Sequence, residues 1–250
     1  MCFLLWVREL VEHKPHLVVQ ECTRDFDSDM LEEMLSEHYE MCVVVTDPSE
    51  QGHAVRRPRK YCILALRSSS FQPAWDLANY RRIARDESFG GSSIYFVATT
   101  TAQMSFRKEL AKSRHIPPIV HGTPVPWARL LSCGIQRRLN GYVVVTKKRA
   151  RRLSFVVANL LQNPHFAGSP GDFIPSLLKQ SFLYGWQVSE GISGRHARPL
   201  LPMEYLLVQG LPLHSRRHPH FKHISRALTR RDLVRDSDIR AFAGNGTNAA

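Results

Sequence analysis

No stretch of the chain approaches the roughly 18 consecutive apolar residues that a membrane helix needs. The opening Cys2-Phe3-Leu4-Leu5-Trp6-Val7 is cut short by Arg8 and Glu9, and no basic region precedes it. Neither a signal peptide nor a membrane anchor is expected. Cysteine is scarce and scattered: the five residues Cys2, Cys22, Cys42, Cys62 and Cys133 include no CxxC pair. That excludes a disulfide framework and a zinc ribbon, and it suits a reducing, intracellular compartment. There is no Walker loop, GxGxxG, GxSxG or HExxH. The one ligand-like cluster, His214, His218, His220 and His223, is interleaved with Arg216, Arg217 and Lys222. Such a stretch is a basic, solvated loop, so no metal is expected.

What is present is positive charge, unevenly placed. The 250 residues carry a formal charge of +12, yet the first 50 hold 12 acidic and only 3 basic residues. Of the totals of 22 acidic and 34 basic, 10 and 31 are left for the rest. Between Ser88 and Gly171 the sole acid is Glu109, against 12 Lys and Arg. The densest part is Arg137, Arg138, Lys147, Lys148, Arg149, Arg151 and Arg152. One-signed charge on this scale is the footprint of a phosphate backbone, so DNA is the expected partner and these seven residues the expected contacts. A solvated basic surface is the competing reading.

Periodicity divides the chain into three. Over 1–67, apolar residues at helical spacing (Leu4, Leu5, Val7, Leu10, Val11) run up to Pro15. A buried-type strand follows at 17–21, then a helix over 29–38 capped by Ser28, then strands at 40–45 and 60–66. Strands separated by helical patterns predict an α/β layer with a largely parallel sheet, the last pair having no helix between them and so open to an antiparallel pairing. Over 68–197 prolines, glycines and basic residues predict an irregular second domain. A helical pattern returns at 203–208, predicting a return to the first domain over 198–250.

Four short elements carry candidate chemistry. Glu21 ends the first strand and is followed by Cys22-Thr23. Gly52-His53-Ala54-Val55-Arg56-Arg57-Pro58-Arg59 leads into the third strand, where Arg57 and Arg59 point to one side. The stretch 198–212 begins Arg198-Pro199-Leu200, holds Glu204, and ends Gln209-Gly210-Leu211-Pro212. Near the end stands the turn Gly244-Asn245-Gly246. Each is weak alone. In this order they resemble the Glu-Asn-Val, Gly-x-Pro-Gln-x-Arg-x-Arg, Arg-x-Leu-x-x-x-Glu-x-x-x-x-Gln-Gly-x-Pro and terminal Gly-Asn blocks of the cytosine-specific, carbon-five DNA methyltransferases. The basic region falls where that family places its target recognition domain.

The resemblance implies a partial methyltransferase-like, Rossmann-like sheet and a methyl transfer from S-adenosylmethionine. It assigns Glu21 as the acid that meets the cytosine ring nitrogen in a dry pocket that keeps it protonated. Arg59 is assigned to the base carbonyl, with Arg57 in support, and Gly244, Asn245 and Gly246 to the cofactor side. The target base has to be flipped out of the stack. There are departures too. Cys22 stands where the family has Asn, and Ala54 and Val55 stand where it has Pro and Gln. The family's Pro-Cys nucleophile loop and glycine-rich cofactor loop precede the Glu block, whereas here that block begins 20 residues from Met1 and no Pro-Cys pair occurs anywhere. The expectation is therefore a truncated methyltransferase, inactive alone and dependent on an upstream segment for its nucleophile. The alternative is a non-catalytic DNA-binding relative.

Overall fold

The computed structural model describes residues 3–69, 91–120, 122–149, 153–165, 171–178 and 180–209. The chain divides into two compact units, Met1–Phe89 with Ala250, and Gly90–Ala249.

In the first unit, helix α1 (Phe3–His13) stops where Pro15 denies the next backbone donor. Lys14 takes the left-handed conformation at φ 46° and donates its N–H back to Leu10 O at 2.9 Å. Strand β1 (Leu17–Thr23) follows, then α2 (Ser28–Leu35), β2 (Tyr39–Thr46) and β3 (Arg59–Leu66). Asp27, not Ser28, caps α2, its carboxylate accepting from Met30 N at 3.1 Å. The sheet has the order β1-β3-β2, and both pairings are antiparallel. That corrects the largely parallel arrangement expected from the sequence. β3 inserts between the two earlier strands and runs against both, because the connection from β2, residues 47–58, folds back as a loop with one short 3-10 turn rather than crossing over as an α-helix.

Alternation assigns the two faces. Val18, Cys22, Cys62, Leu64, Leu66, Tyr39, Met41 and Val43 pack with Val7, Leu10, Leu31 and Leu35 into one core. Glu21, Arg59 and Tyr61 lie on the opposite face by the same register.

The second unit holds α3 (Thr100–Lys112), a two-residue hairpin of β4 (Ile119–Val120) and β5 (Thr123–Pro124), and α4 (Cys133–Arg149). After these come β6 (Phe155–Asn159), β7 (Leu183–Gln187), β8 (Arg198–Pro199) and α5 (Pro202–Val208). Strands β6, β7 and β8 form an antiparallel sheet in that order. Trp127, Leu130, Leu139, Tyr142, Val156, Leu160, Tyr184, Trp186 and Leu201 share its core. Burying a side chain of this size stabilises by about 1.5–3 kcal/mol, so nine of them outweigh the weak local periodicity of the segment. The region is thus more regular than its prolines and glycines imply. β6 shows no alternation because all five of its residues are buried. The expected return to the first domain at residue 198 is replaced by a closing of the second unit. β8 pairs with β7, and the Tyr205 hydroxyl accepts from Leu183 N at 2.8 Å.

The whole is mixed α/β with small antiparallel sheets. Among the described residues no helix is long and apolar enough to cross a membrane.

Candidate functional site

Glu21 and Arg59 meet because β1 and β3 pair with Thr23 opposite Arg59 and Glu21 opposite Tyr61. Glu21 and Arg59 are then diagonal neighbours on one face, within reach of long side chains. Arg59 Nε donates to Glu21 Oε1 at 3.1 Å, and Arg57 Nη2 stands 3.6 Å from the same oxygen. Arg59 also donates through Nη1 to Pro58 O at 3.0 Å, which fixes the plane of its guanidinium. Burial, then the neighbouring Arg59 charge, lower the Arg57 guanidinium from its ordinary range, and Glu21 opposes both. The loop that delivers Arg57 is itself anchored. Asp47 Oδ1 accepts from Ser49 N at 2.9 Å, Gly52 turns the chain at φ 82°, and Ala54 and Val55 are buried. A left-handed residue is needed at position 52, and glycine supplies it without a Cβ clash.

The Glu21 side chain remains 20% exposed. Its carboxylate is paired with both guanidiniums, which are exposed to a similar degree. Such an arrangement offers an acceptor and two donor forks side by side, the pattern needed to hold a planar group with an N–H edge beside a C=O.

Cys22, adjacent in sequence, faces the other way. Its thiol donates to Lys60 O at 3.2 Å, and it packs in the core. Burial pushes the Cys22 thiol up, and pushes the neighbouring Cys62 thiol up to about 11.

The seven basic residues divide. Arg137, Arg138, Lys147 and Lys148 are exposed on α4, away from the buried Leu139, Tyr142 and Thr146. Arg138 is held against the unit by donation to Leu160 O at 3.3 Å. The side chain of Arg149, together with Arg151 and Arg152, lies outside the described residues, as do Gly244, Asn245, Gly246 and the four-histidine stretch.

The block from Arg198 contains a contact that the sequence did not single out. Arg198 is 5% exposed and Glu204 1%, and they form a two-pronged pair with both N–O distances 2.7 Å. Glu204 further accepts from Ala98 N at 2.7 Å and Leu201 N at 2.8 Å, and the guanidinium lies 4.8 Å from the Phe96 ring centre. Six-residue spacing carries no helical or strand signature, so only the fold reveals the pair.

Among the described residues one group of possible metal ligands converges, Glu9, Glu12 and His13 on the exposed side of α1. The His13–Glu9 contact of 3.0 Å is that of an ordinary helical ion pair. No protein-family model matches the chain, and no curated protein matches it.

Proposed function

We propose that the chain is the base-holding and DNA-recognition part of a cytosine-specific, carbon-five DNA methyltransferase. The observation that carries this reading is the convergence of Glu21, Arg57 and Arg59 at one end of the β1-β3 pair. Cytosine presents an amino donor beside acceptor atoms, so a carboxylate that accepts from the amino group and a guanidinium that donates to the carbonyl complement it. The exposed basic face of α4 supports a phosphate-contacting role for the second unit. The buried Arg198–Glu204 pair supports the third sequence block as a rigid support for that unit.

S-adenosylmethionine is the methyl donor that this reading implies, and the residues assigned to it, Gly244, Asn245 and Gly246, lie outside the described residues. What the described residues do is hold a base and a backbone. The second reading, a DNA-binding relative without catalysis, uses the same pairing of Glu21 with Arg57 and Arg59 as a base-holding cluster.

The test is affinity for single-stranded oligonucleotides of dC against dT, measured by fluorescence anisotropy. Thymine lacks the amino donor, so about tenfold tighter binding of dC is expected, the lower end of what a good base contact supplies. Glu21→Ala should erase the preference. Equal affinity of the unaltered chain for both would overturn the assignment of Glu21.

A further inference from the structure

We propose that the cleft between the end of α4, the start of β6 and the end of β7 seats one phosphate of a nucleic-acid backbone. This rests on the reading of the chain as a DNA-binding protein. The cleft has a volume of about 600 Å³ and is lined by Thr146, Lys147, Leu153, Ser154, Gln187 and Ser189, with Val188. The polar side chains among them offer an ammonium, three hydroxyls and an amide, all able to donate, and among the described residues no carboxylate lines the cleft. A phosphate is an acceptor-only group with oxygens in several directions, so this donor set matches it.

Thr146 supplies a second, independent observation. It is 2% exposed, and its Oγ1 has no hydrogen-bond partner. Buried hydroxyls are nearly always satisfied, so the unpaired hydroxyl of this cleft-lining residue is a donor left over in the cleft wall. The scaffold around it is fixed. Val188 N donates to Ser154 O at 3.0 Å, which extends the β6-β7 ladder beyond Phe155 and Gln187 and sets Ser154 near Gln187 and Ser189.

Two charges near the cleft oppose an anion, and neither prevails. The C-terminus of α4 presents roughly half a negative charge, which the ammonium of the cleft-lining Lys147 exceeds. Glu190 follows Ser189 in sequence but is turned to His196, whose ring nitrogen lies 3.1 Å from its carboxylate and whose backbone N–H donates to it at 3.3 Å. The same donor set would accept a free phosphate, so the source has to be separated by experiment.

DNA affinity is measured against salt for the unaltered chain, for Lys147→Gln with Ser154→Ala, and for Lys148→Gln as a control outside the cleft. Inorganic phosphate is titrated in parallel, with backbone amide shifts of Ser154, Val188 and Ser189 as the direct readout. The expected result is that DNA shifts these amides at concentrations where inorganic phosphate does not. The double variant should lose about tenfold in affinity and lower the salt slope by about one, the loss of a single phosphate contact, with the amide shifts abolished. Lys148→Gln should leave the shifts in place. Salt-dependent DNA binding with unmoved amides and an unaffected double variant would overturn the cleft while leaving the DNA reading intact. Saturation by millimolar inorganic phosphate with no response to DNA would reassign the cleft to a free anion. A chain that binds no DNA would remove both proposals.

Discussion

Arg198 and Glu204 are the residues with most to lose. Each is shielded from water and paired to the other at 2.7 Å, so removing one leaves the partner's charge buried without compensation. That is worth about 3–5 kcal/mol. Arg198→Ala is expected to lower the chemical-denaturation midpoint accordingly, whereas Arg198→Lys, which keeps the charge but not the fork, should lose part of it. A midpoint unchanged by Arg198→Ala would show the pair to be dispensable. Cys62 gives a pH-dependent counterpart in the first unit. Its thiol is raised from 9.0 to about 11 because burial penalises the thiolate. The folded state therefore keeps a proton that the unfolded chain has released. Stability is full below pH 9, falls as pH rises from there, and reaches its floor above 11. Thiol alkylation of folded protein should spare Cys62 at pH 8 and modify the exposed Cys133. At this scale the sequence was informative where a motif existed. Glu21, Arg57 and Arg59 could be named, and the structure brings them together. It was silent on how solvated their cluster is, because exposure depends on what covers the sheet rather than on the strand itself. It was silent likewise on Thr146, whose distinction is a missing partner.

Gly185 sits at the centre of β7, hydrogen-bonded between β6 and β8, where glycine ordinarily weakens a strand. The reason for it is aromatic. A Cβ there would lie 2.4 Å from Phe96 Cζ and 2.8 Å from Phe155 Cζ. Those rings meet edge to face at 5.1 Å, and Phe96 is further pinned beneath Arg198, so neither yields cheaply. Gly185→Ala is expected to destabilise by about 1–3 kcal/mol through overpacking, in contrast to the slight gain a better strand former would bring. Thermal unfolding of the variant decides between the two signs. All three strands of the first unit were legible, because their aliphatic runs are short and bounded. Their directions were not, since nothing within 17–21, 40–45 and 60–66 states which neighbour each one pairs with. A parallel layer was expected from the helix between the first two strands. That helix instead spans past a gap later filled by β3. In the second unit the expectation failed for the opposite reason. Strands buried on both faces and a helix whose polar side is crowded with arginine and lysine give little periodic contrast, and prolines at 117, 118, 124 and 126 dominate the local signal.

Across the whole molecule the first 50 residues are acidic and the remainder basic, and the proposed function would divide base contact and backbone contact along that change of sign. The proposed reaction then demands a nucleophile, and Cys22 does not supply it. A thiolate has to add to ring carbon six before carbon five can accept a methyl group. Cys22 is the cysteine nearest in sequence to Glu21, yet successive residues of a strand face opposite sides of the sheet. Glu21 lies with Arg59 on one face, and Cys22 lies in the core on the other, its thiol donating to Lys60 O at 3.2 Å. Burial also raises its pKa, which reduces the thiolate available at neutral pH. Geometry thus sets Cys22 apart from the Glu21 cluster, and the chain holds no Pro-Cys pair. The purified chain incubated with labelled S-adenosylmethionine and cytosine-containing duplex should transfer no label above a protein-free control. Addition of a polypeptide carrying a Pro-Cys loop and a glycine-rich cofactor loop should restore transfer, and Glu21→Gln should then reduce it by about 100-fold, the lower range for a positioned acid. Transfer by the chain alone that Cys22→Ser abolishes would mean that the strand turns its faces over in solution, and the assignment of both units would fall with it.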